Sequence, residues 1–312
     1  MSRHHLLECR QQIPLPNFAN PKSNPPSSSS SWKPPGRDKG RVFLLDVNPL
    51  CYAGNSPSLT SFAHWTWLLF STVTFNDPVI AVLDGEGGND RRREVLPSYK
   101  AHRRRPNRER SSSSRELVRD VLERCNVPVV RIEGQEADDV IATLVDKAVS
   151  GKGRRAVIAS PDKDFKQLVS ERVQIVAPVP ELGRWSFYTL KHYVAQYNCD
   201  PRLDLSLRSM LGDETDGVPG IQNFAPGFGR KTALKLLKKH GSLEELLAAA
   251  GVRTVGRNYA QEALTRYGAV LLRNHQVLSL KRDVDVELED QWLSRRDVAN
   301  DSVALSSLRK RQ

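Results

Sequence analysis

The sequence predicts an α/β fold, with a mostly parallel central sheet flanked by helices and a mainly helical region after it. Three short apolar runs, at residues 42–45, 79–83 and 156–159, are rich in the residues typical of buried parallel strands. Strand-like and helix-like stretches alternate to about residue 179, as in α/β domains. Four later stretches have helical spacing and are separated by glycine-rich turns, at residues 190–197, 231–239, 243–250 and 261–272.

Length and charge narrow the function classes. The chain has 312 residues, 39% of them hydrophobic, which is enough to bury a sizeable core. Lys and Arg number 47 against 36 Asp and Glu, giving a formal net charge of +11. Because net charge governs association more than fold, this excess favours a phosphate-bearing partner, although a solvated basic surface would have the same composition.

Two further features exclude other classes. The most apolar stretch, residues 62–75, contains polar side chains and is shorter than the ~20 residues of a membrane span, so we expect a core helix and no membrane association. The four cysteines are scattered and form no Cys-x-x-Cys pair, so we expect them to stay reduced. They are Cys9, Cys51, Cys125 and Cys199.

Clustered acids stand out in this basic chain. Asp46 and Asp84 each end an apolar run, and Asp162 follows the third. The carboxyl ends of parallel strands meet at the edge of a sheet where ligands bind. Converging carboxylates repel one another unless a cation neutralises them, and hard oxygen ligands select Mg²⁺ or Mn²⁺. The candidate metal ligands are Asp46, Asp84, Glu136, Asp138, Asp139, Asp162, Asp164, Asp213 and Asp216.

The spacing of these acids indicates how they present oxygen atoms. Glu136, Asp138 and Asp139 begin a predicted helix, where the helix dipole also favours acids, so N-terminal capping is the alternative reading. Positions 136 and 139 share a helix face and 138 projects elsewhere, which would serve two neighbouring ions. Asp162 and Asp164 lie two apart, which would put both carboxylates on one side of an extended segment.

A glycine-rich segment follows the last acids. Residues 213 and 216 are three apart beside turn residues, and residues 227–232 read Gly-Phe-Gly-Arg-Lys-Thr. Two glycine turns that open onto a helix expose backbone amides to phosphate. This position, directly downstream of the acids, favours a contact with a nucleic-acid backbone.

The chain divides into four predicted segments. Residues 1–40 are rich in Ser and Pro, basic and poor in acids, which is typical of an organelle transit peptide; a merely disordered tail is the alternative. An α/β domain at 41–180 contains a basic, serine-containing loop at about 91–115, interpreted as an electrostatic funnel or as a solvated loop. A helical region follows at 181–288, and residues 289–312 are predicted to be a tail.

Taken in order, these motifs resemble the 5′ nuclease family of the PIN-like superfamily: stand-alone bacterial and phage 5′-3′ exonucleases, the amino-terminal domain of bacterial DNA polymerase I and, more distantly, flap endonucleases. The matching motifs are Asp46, Asp84, Tyr99-Lys100-Ala101-His102-Arg103, Glu136-Ala137-Asp138-Asp139, Asp162-Lys163-Asp164, Gly212-Asp213-Glu214-Thr215-Asp216, and a helix-hairpin-helix element at 219–233. The chain departs from the family in having Val47 after the first Asp and about four extra hairpin residues, 223–226.

The resemblance implies a chemistry and a set of roles. It implies phosphodiester hydrolysis with two Mg²⁺ ions, for which Mn²⁺ can substitute, about 4 Å apart. Asp46, Asp84, Glu136 and Asp138 would hold the first ion and the remaining acids the second, while Lys100 and Arg103 would steer the 5′ end and neutralise the scissile phosphate. A monovalent cation at the hairpin is also implied. The implied DNA-binding residues are Arg92, Tyr99, Gly220, Gly227, Gly229, Arg230, Lys231 and Thr232.

The resemblance also implies a substrate and a setting. We expect cleavage that depends on DNA structure, at 5′ flaps and nicked or branched duplexes including RNA–DNA primer junctions, by a monomer serving replication or repair beside a separate organellar DNA polymerase. The expected location is the mitochondrion, the chloroplast or both, with the nucleus as the alternative. Two other functions remain open: a PIN-like ribonuclease, and a non-catalytic nucleic-acid-binding module with a structural metal.

Overall fold

The computed structural model describes residues 40–54, 56–102 and 108–309, and the side chains of all of these except 108–112 and 309. The candidate Arg103 and all of the presequence predicted at 1–40, apart from residue 40, lie outside the described residues. The strands are β1 (Arg41–Asp46), β2 (Tyr52–Ala53), β3 (Ser56–Pro57), β4 (Val79–Leu83), β5 (Val129–Arg131), β6 (Arg155–Ala159), β7 (Val173–Val179) and β8 (Arg184–Tyr188). The α-helices are α1 (Leu59–Leu69), α2 (Asp90–Val95), α3 (Arg108–Arg124), α4 (Ala137–Asp146), α5 (Leu190–Tyr197), α6 (Asp204–Leu211), α7 (Arg230–His240), α8 (Leu243–Val252), α9 (Asn258–Leu278) and α10 (Asp301–Arg309).

Six strands form one twisted sheet in the order β5-β4-β1-β6-β7-β8. All neighbours are parallel except β8, which runs antiparallel to β7. The predicted α/β class with a mostly parallel sheet is confirmed. The predicted boundary at 180/181 is wrong, because β8 follows it and completes the sheet; the aromatic run Trp185 to Tyr188 was not recognised as a strand.

The central strand β1 supplies two cores. Its residues are buried on both faces because successive side chains point to opposite sides of a strand. Val42 and Leu44 pack in a core with α4, whereas Phe43 and Leu45 pack in a core with α1, α3 and α10. The sheet is therefore covered by helices on both faces, which fixes its register and holds its carboxyl edge rigid.

The helices after β8 build a third core. Leu207 and Met210 of α6 meet Phe228 and residues of α7, α8 and α9. Predicted helices at 190–197, 231–239, 243–250 and 261–272 all occur, the last extended to Asn258–Leu278. Their order gives a helical unit that packs beside the carboxyl edge of the sheet, through α6 against Lys163–Leu168 and through α9 against α2.

Two predictions about irregular segments are wrong. Residues 289–312 are not a tail as far as they are described, because α10 buries Ala304, Leu305 and Leu308 in the core with α1. This short helical spacing was overlooked. Likewise the basic stretch at 91–115 is largely helical, in α2 and α3, so it is not a long structureless loop in its described parts.

The described cysteines, Cys51, Cys125 and Cys199, are free thiols. The apolar stretch at 62–75 forms α1 and a following π-helical turn, Phe70–Thr74, and buries Phe62, Leu69 and Phe70 as a core helix does. Across the described ranges we find no helix long and apolar enough to span a membrane.

Candidate active site

Three strand ends meet at one point on the carboxyl edge of the sheet. β1 lies between β4 and β6, and Asp46 at its end is paired with Val82 of β4. Ser160, directly after β6, donates a hydrogen bond from Oγ to Asp46 Oδ2 at 2.8 Å. Asp84, directly after β4, accepts a hydrogen bond from the amide of Ala137, the first residue of α4, at 2.7 Å. The parallel register thus brings both strand-ending acids to the start of α4.

Four acids at this edge form no ion pair with any described residue. Burial raises the pKa of Asp46 to about 7, and the charge of Asp84 adds to the shift. Burial also raises the pKa of Asp138 well above its ordinary value, with Asp162 contributing, and the pKa of Asp162 is raised in the same way by burial and by Asp164. Within the described part of the chain, no basic side chain forms an ion pair with Asp46, Asp84, Asp138 or Asp162. These oxygens therefore suit a hard divalent cation, which would repay the cost of ionising them.

A second acidic group lies beside them. Asp164, Asp213 and Asp216 each offer a carboxylate oxygen within 4.8 Å of the others, and all three are buried. Among the described residues this is the one group of three metal-ligating side chains that are so close. Asp213 precedes the short helical turn Glu214–Asp216, which brings Asp216 back toward it. The remaining predicted ligands do not form a comparable group.

The prediction that Asp162 and Asp164 lie on one side of an extended segment is wrong. Asp162 caps the 3-10 helix Lys163–Leu168, accepting from the Asp164 amide at 2.9 Å, and Asp164 lies in the first turn of that helix. The segment is therefore not extended here. Asp164 lies in one group with Asp213 and Asp216, whereas the charge of Asp162 acts on Asp138 in the first group.

Basic side chains reach the second group directly. The Arg208 guanidinium donates through Nη2 to Asp164 at 2.5 Å and to Asp213 at 3.1 Å. The Lys163 ammonium donates to Asp213 at 2.9 Å. Burial, the largest single influence, favours the neutral form of Asp164, but Arg208, the hydrogen bond with Asp162 and two lysines together lower its pKa. This group is neutralised by the protein itself, unlike the first.

Arg92 anchors two of the predicted ligands. It donates through Nη1 to Glu136 at 2.6 Å and through Nη2 to Asp139 at 2.7 Å, and Asp139 also accepts from the amide of Lys281 at 2.8 Å. Glu136 and Asp139 do share a face of α4, as predicted, but that face is turned to a buried cation. The DNA-binding role predicted for Arg92 is corrected, since its side chain is only 9% exposed and paired inside the protein. Asp139 pairs with the same guanidinium, and its metal-ligand role stays a prediction.

Lys100 joins the two acidic groups. Its ammonium lies 2.5 Å from Glu136 Oε2 and its amide donates to the carbonyl of Asp216 at 2.8 Å. Burial is the largest influence and opposes its charge, yet Glu136 together with Tyr99, Asp138 and Asp216 raises the pKa of Lys100. The Lys100 backbone has φ of 48°, a left-handed conformation that is costly outside glycine and that concentrates at functional sites. Tyr99 is buried with its hydroxyl 3.5 Å from Glu136, which corrects its predicted role as a surface for DNA.

The glycine-rich hairpin is partly exposed. Gly227 adopts φ of 90° in an open turn, and Gly229 directly precedes α7; a Cβ at either position would meet no heavy atom within 4 Å. Gly220 differs, since a Cβ there would lie 1.9 Å from the carbonyl oxygen of Leu211, so this glycine serves close packing. Its predicted DNA contact stays a prediction.

The side chains at the start of α7 lie in three settings. The Arg230 guanidinium stacks 4.4 Å from the centroid of the Tyr197 ring, and Lys231 is exposed. The Thr232 hydroxyl lies 3.1 Å from the hydroxyl of Tyr259. In the inserted segment, the ring of Phe224 stacks on Tyr267 with 5.1 Å between centroids. Gly227 and Lys231 are exposed and Gly229 is half-buried, whereas the amide of Phe228 donates to the carbonyl of Ala225.

Comparison with known proteins agrees with this architecture. A family model for the 5′-3′ exonuclease, N-terminal resolvase-like domain, matches residues 55–198, and one for the 5′-3′ exonuclease, C-terminal SAM fold, matches residues 200–301. The chain belongs to the 5′-3′ exonuclease family. A 5′-3′ exonuclease of Aquifex aeolicus is 32% identical over 177 residues, 57% of this chain and 56% of that protein. DNA polymerase I of Bacillus caldotenax is 28% identical over 241 residues, 77% of this chain and 27% of the polymerase.

Solved structures share the fold. The phage T5 5′-exonuclease, solved with zinc ions, superimposes with a TM-score of 0.60 at 20% identity, over 86% of this chain and 98% of that one. A phage T5 flap endonuclease in complex with DNA and metal ions gives a TM-score of 0.57 at 19% identity, over 86% of this chain and 100% of that one. The chain spans 56% and 27% of the two curated relatives above.

Three side chains of this 5′-3′ exonuclease family member were not predicted from sequence. Asn48 donates to Asp84, Ser160 donates to Asp46, and Arg208 binds Asp164 and Asp213. Asn48 and Ser160 each follow a strand within two residues, a position that could have marked them. Arg208 lies four residues after Asp204 on α6, and this i,i+4 spacing of opposite charges is its only signal in the sequence.

Proposed function

We propose that this chain is a metal-dependent 5′-3′ deoxyribonuclease that cleaves DNA according to structure, acting on 5′ flaps and on nicked or branched duplexes. The observation that carries the proposal is the pair of adjacent acidic groups, one around Asp46 and Asp138 and one formed by Asp164, Asp213 and Asp216. Adjacent carboxylate groups of this kind fit two divalent cations, with Mg²⁺ as the ion and Mn²⁺ as a substitute.

The residues take distinct roles in this proposal. Asp46, Asp84, Asp138 and Asp162 would hold one cation, and Asp164, Asp213 and Asp216 the other. Bound divalent cations lower the pKa of water and stabilise charge on the leaving oxygen of a phosphodiester. Arg92 fixes α4 through Glu136 and Asp139, and Lys100 holds Glu136 at the entrance between the groups. Lys100 lies between the two groups, so a phosphate bound across both cations would approach its ammonium, which would help to neutralise the phosphate charge.

Duplex DNA would lie against the hairpin and α7. The amides of Gly227 and Gly229 and the exposed Lys231 suit phosphate oxygens, and such contacts carry no base information. The family's T5 relative has been solved with DNA and metal ions, and we extend that binding to this chain. Affinity should then fall steeply as salt rises, because phosphate contacts release counterions.

The test is cleavage of end-labelled 5′-flap, nicked and single-stranded DNA, and of an RNA counterpart, with Mg²⁺ or EDTA. Asp162→Asn should abolish metal-dependent release of 5′ products while leaving DNA affinity nearly unchanged. Asp285→Asn, an exposed acid outside both groups, is the matched control and should cleave normally. Cleavage of RNA alone would favour a PIN-like ribonuclease, and tight salt-sensitive binding without cleavage would favour a non-catalytic module.

We further propose that the protein acts as a monomer beside a separate DNA polymerase during organellar replication or repair. The basic, acid-poor composition of residues 1–40 supports a mitochondrial or chloroplast location. Fusing residues 1–40 to a fluorescent reporter tests this; a nuclear signal would redirect the proposal. Sedimentation with and without DNA tests the monomer.

A further inference from the structure

Arg208 stands between three acids on the inner face of α6. Its Nη2 donates to Asp164 at 2.5 Å and to Asp213 at 3.1 Å, two of the three carboxylates of the second acidic group. The side chain is only 12% exposed. A guanidinium in this position neutralises the same oxygen atoms that a divalent cation would use, so the two cations compete for them.

Arg208 also has an unused donor. Its Nη1 is buried and has no hydrogen-bond partner among the described residues. A buried donor without a hydrogen-bond partner destabilises the folded state, and the cost is greater when the group is charged. The guanidinium is thus incompletely satisfied where it lies, although its charge is paired.

A matching acceptor lies one helical turn away. Asp204 is four residues before Arg208 on α6 and is 1% exposed. Its Oδ1 accepts from the Tyr193 hydroxyl at 2.9 Å, but its Oδ2 is buried and has no partner in the described part of the chain. Burial raises the pKa of Asp204, and the charge of Arg208 is the largest influence that opposes the rise. Residues four apart face each other on a helix, so a change of Arg208 side-chain torsions would join the two unused atoms.

We propose that Arg208 is an exchangeable internal counterion: it pairs with Asp164 and Asp213 until a divalent cation binds them, and then turns to Asp204. Asp204 is therefore a positioning residue for the second metal, although it is not a ligand. This inference rests on the proposed function only in requiring that a divalent cation bind the second acidic group.

Lys163 provides a contrast. It also contacts Asp213, at 2.9 Å, but its side chain is 35% exposed and can move into water without a buried partner. Displacing Lys163 therefore needs no acceptor inside the protein. Of the two basic side chains, only Arg208 requires Asp204.

The experiment is calorimetric titration of the full chain with Mn²⁺ in the absence of DNA. Arg208→Met should raise the affinity of the weaker site about tenfold, because the competing cation is gone. Asp204→Asn should lower it by about tenfold, the size of effect usual for residues that support metal ligands. In the Arg208→Met background, Asp204→Asn should have no effect. Arg202→Met, an exposed arginine at the preceding turn, is the control and should bind Mn²⁺ as the wild type does.

The outcomes are separable. Additive effects of the two substitutions, or a weaker affinity in Arg208→Met, would overturn the exchange. Absence of Mn²⁺ binding by the wild type would instead overturn the proposed function. Should a variant fail to fold, NMR of the Arg208 guanidinium in the wild-type protein tests the exchange. Addition of Mg²⁺ should shift the guanidinium signals to those of a group paired with one carboxylate. Unchanged signals at saturating Mg²⁺ would refute the exchange.

Discussion

The Lys100 ammonium lies 2.5 Å from Glu136 Oε2. The backbone of Lys100 is left-handed, and its amide donates a hydrogen bond to the carbonyl of Asp216. Both side chains are buried. A main-chain bond to one acidic group and a side-chain bond to α4 therefore fix this lysine between the groups. Its position depends on two contacts later in the chain, with Glu136, 36 residues on, and with Asp216 in the second acidic group.

Replacing Lys100 tests whether this fixed charge serves catalysis. Lys100→Met should lower the single-turnover rate of flap cleavage by about 10²-fold or more, the usual loss when a charge-stabilising donor is removed. Lys100→Arg keeps the charge and should retain more activity. Lys152→Met, which removes an exposed lysine paired with Asp290, is the control. A wild-type rate for Lys100→Met would contradict the role.

The raised pKa of Asp46 makes stability and metal binding depend on pH. The folded protein holds this proton up to a pKa of about 7, whereas the unfolded chain releases it near 3.8, so the unfolded state is favoured as pH rises between these values. In EDTA, the melting temperature should fall as pH rises from about 5 to 8. Mg²⁺ should bind more tightly over the same range, because binding expels the proton.

Thermal denaturation at several pH values, with and without Mg²⁺, measures both effects. Asp46→Asn should weaken the pH dependence in EDTA and should reduce the gain from Mg²⁺. Asp285→Asn, an exposed acid, should leave both curves unchanged. A melting temperature in EDTA that rises with pH would show that the first acidic group is not held neutral.

Replacing Arg92 should affect stability, whereas replacing Lys231 should affect DNA binding. Arg92→Met removes the cation that pairs with the buried Glu136 and Asp139. The free energy of unfolding should fall by about 3–5 kcal/mol. Lys231→Met should leave stability within about 0.5 kcal/mol. It should weaken DNA binding and reduce the salt slope by about one ion. Chemical denaturation and salt-dependent binding assays separate the two; a stable Arg92→Met protein with weak DNA binding would restore the surface role for Arg92.

Helix α10 should contribute to global stability. Leu305→Ala removes a side chain that is 2% exposed in the core with α1, and should cost about 2–5 kcal/mol in urea denaturation. Val303→Ala, at a residue that is 67% exposed on the same helix, is the control and should cost under about 0.5 kcal/mol. Equal and negligible costs would mean that α10 is dispensable.

The sheet and its acids could be predicted because their signals are local. An apolar run such as 79–83 followed by Asp84 needs no distant residue to be recognised. Arg92 could not be assigned in the same way, since its partners Glu136 and Asp139 lie 44 and 47 residues away. A basic run in sequence resembles a surface, and only folding reveals that one of its members is buried.

Short elements with few apolar residues were also missed. In α10 the buried positions are Ala304, Leu305 and Leu308, too few to stand out in a window of 11–18 residues. Arg208 was missed for a different reason: an arginine on a helix is usually solvated, and its burial follows from tertiary contacts with Asp164 and Asp213. Opposite charges at helical spacing inside apolar helices therefore merit closer inspection.

Arg92 also donates to the carbonyl oxygens of Val277 and Ser279, at 2.8 and 3.2 Å, where α9 ends. Arg92 thus connects the two regions that the family models match separately, and the same side chain binds the acids at the start of α4. Because the acceptors are main-chain atoms, the residue types at 277 and 279 can change without loss of these hydrogen bonds. The backbone at these positions must keep its course. A chimera that exchanges the C-terminal region for that of a relative should therefore tolerate sequence divergence at this junction but no insertion or deletion within it.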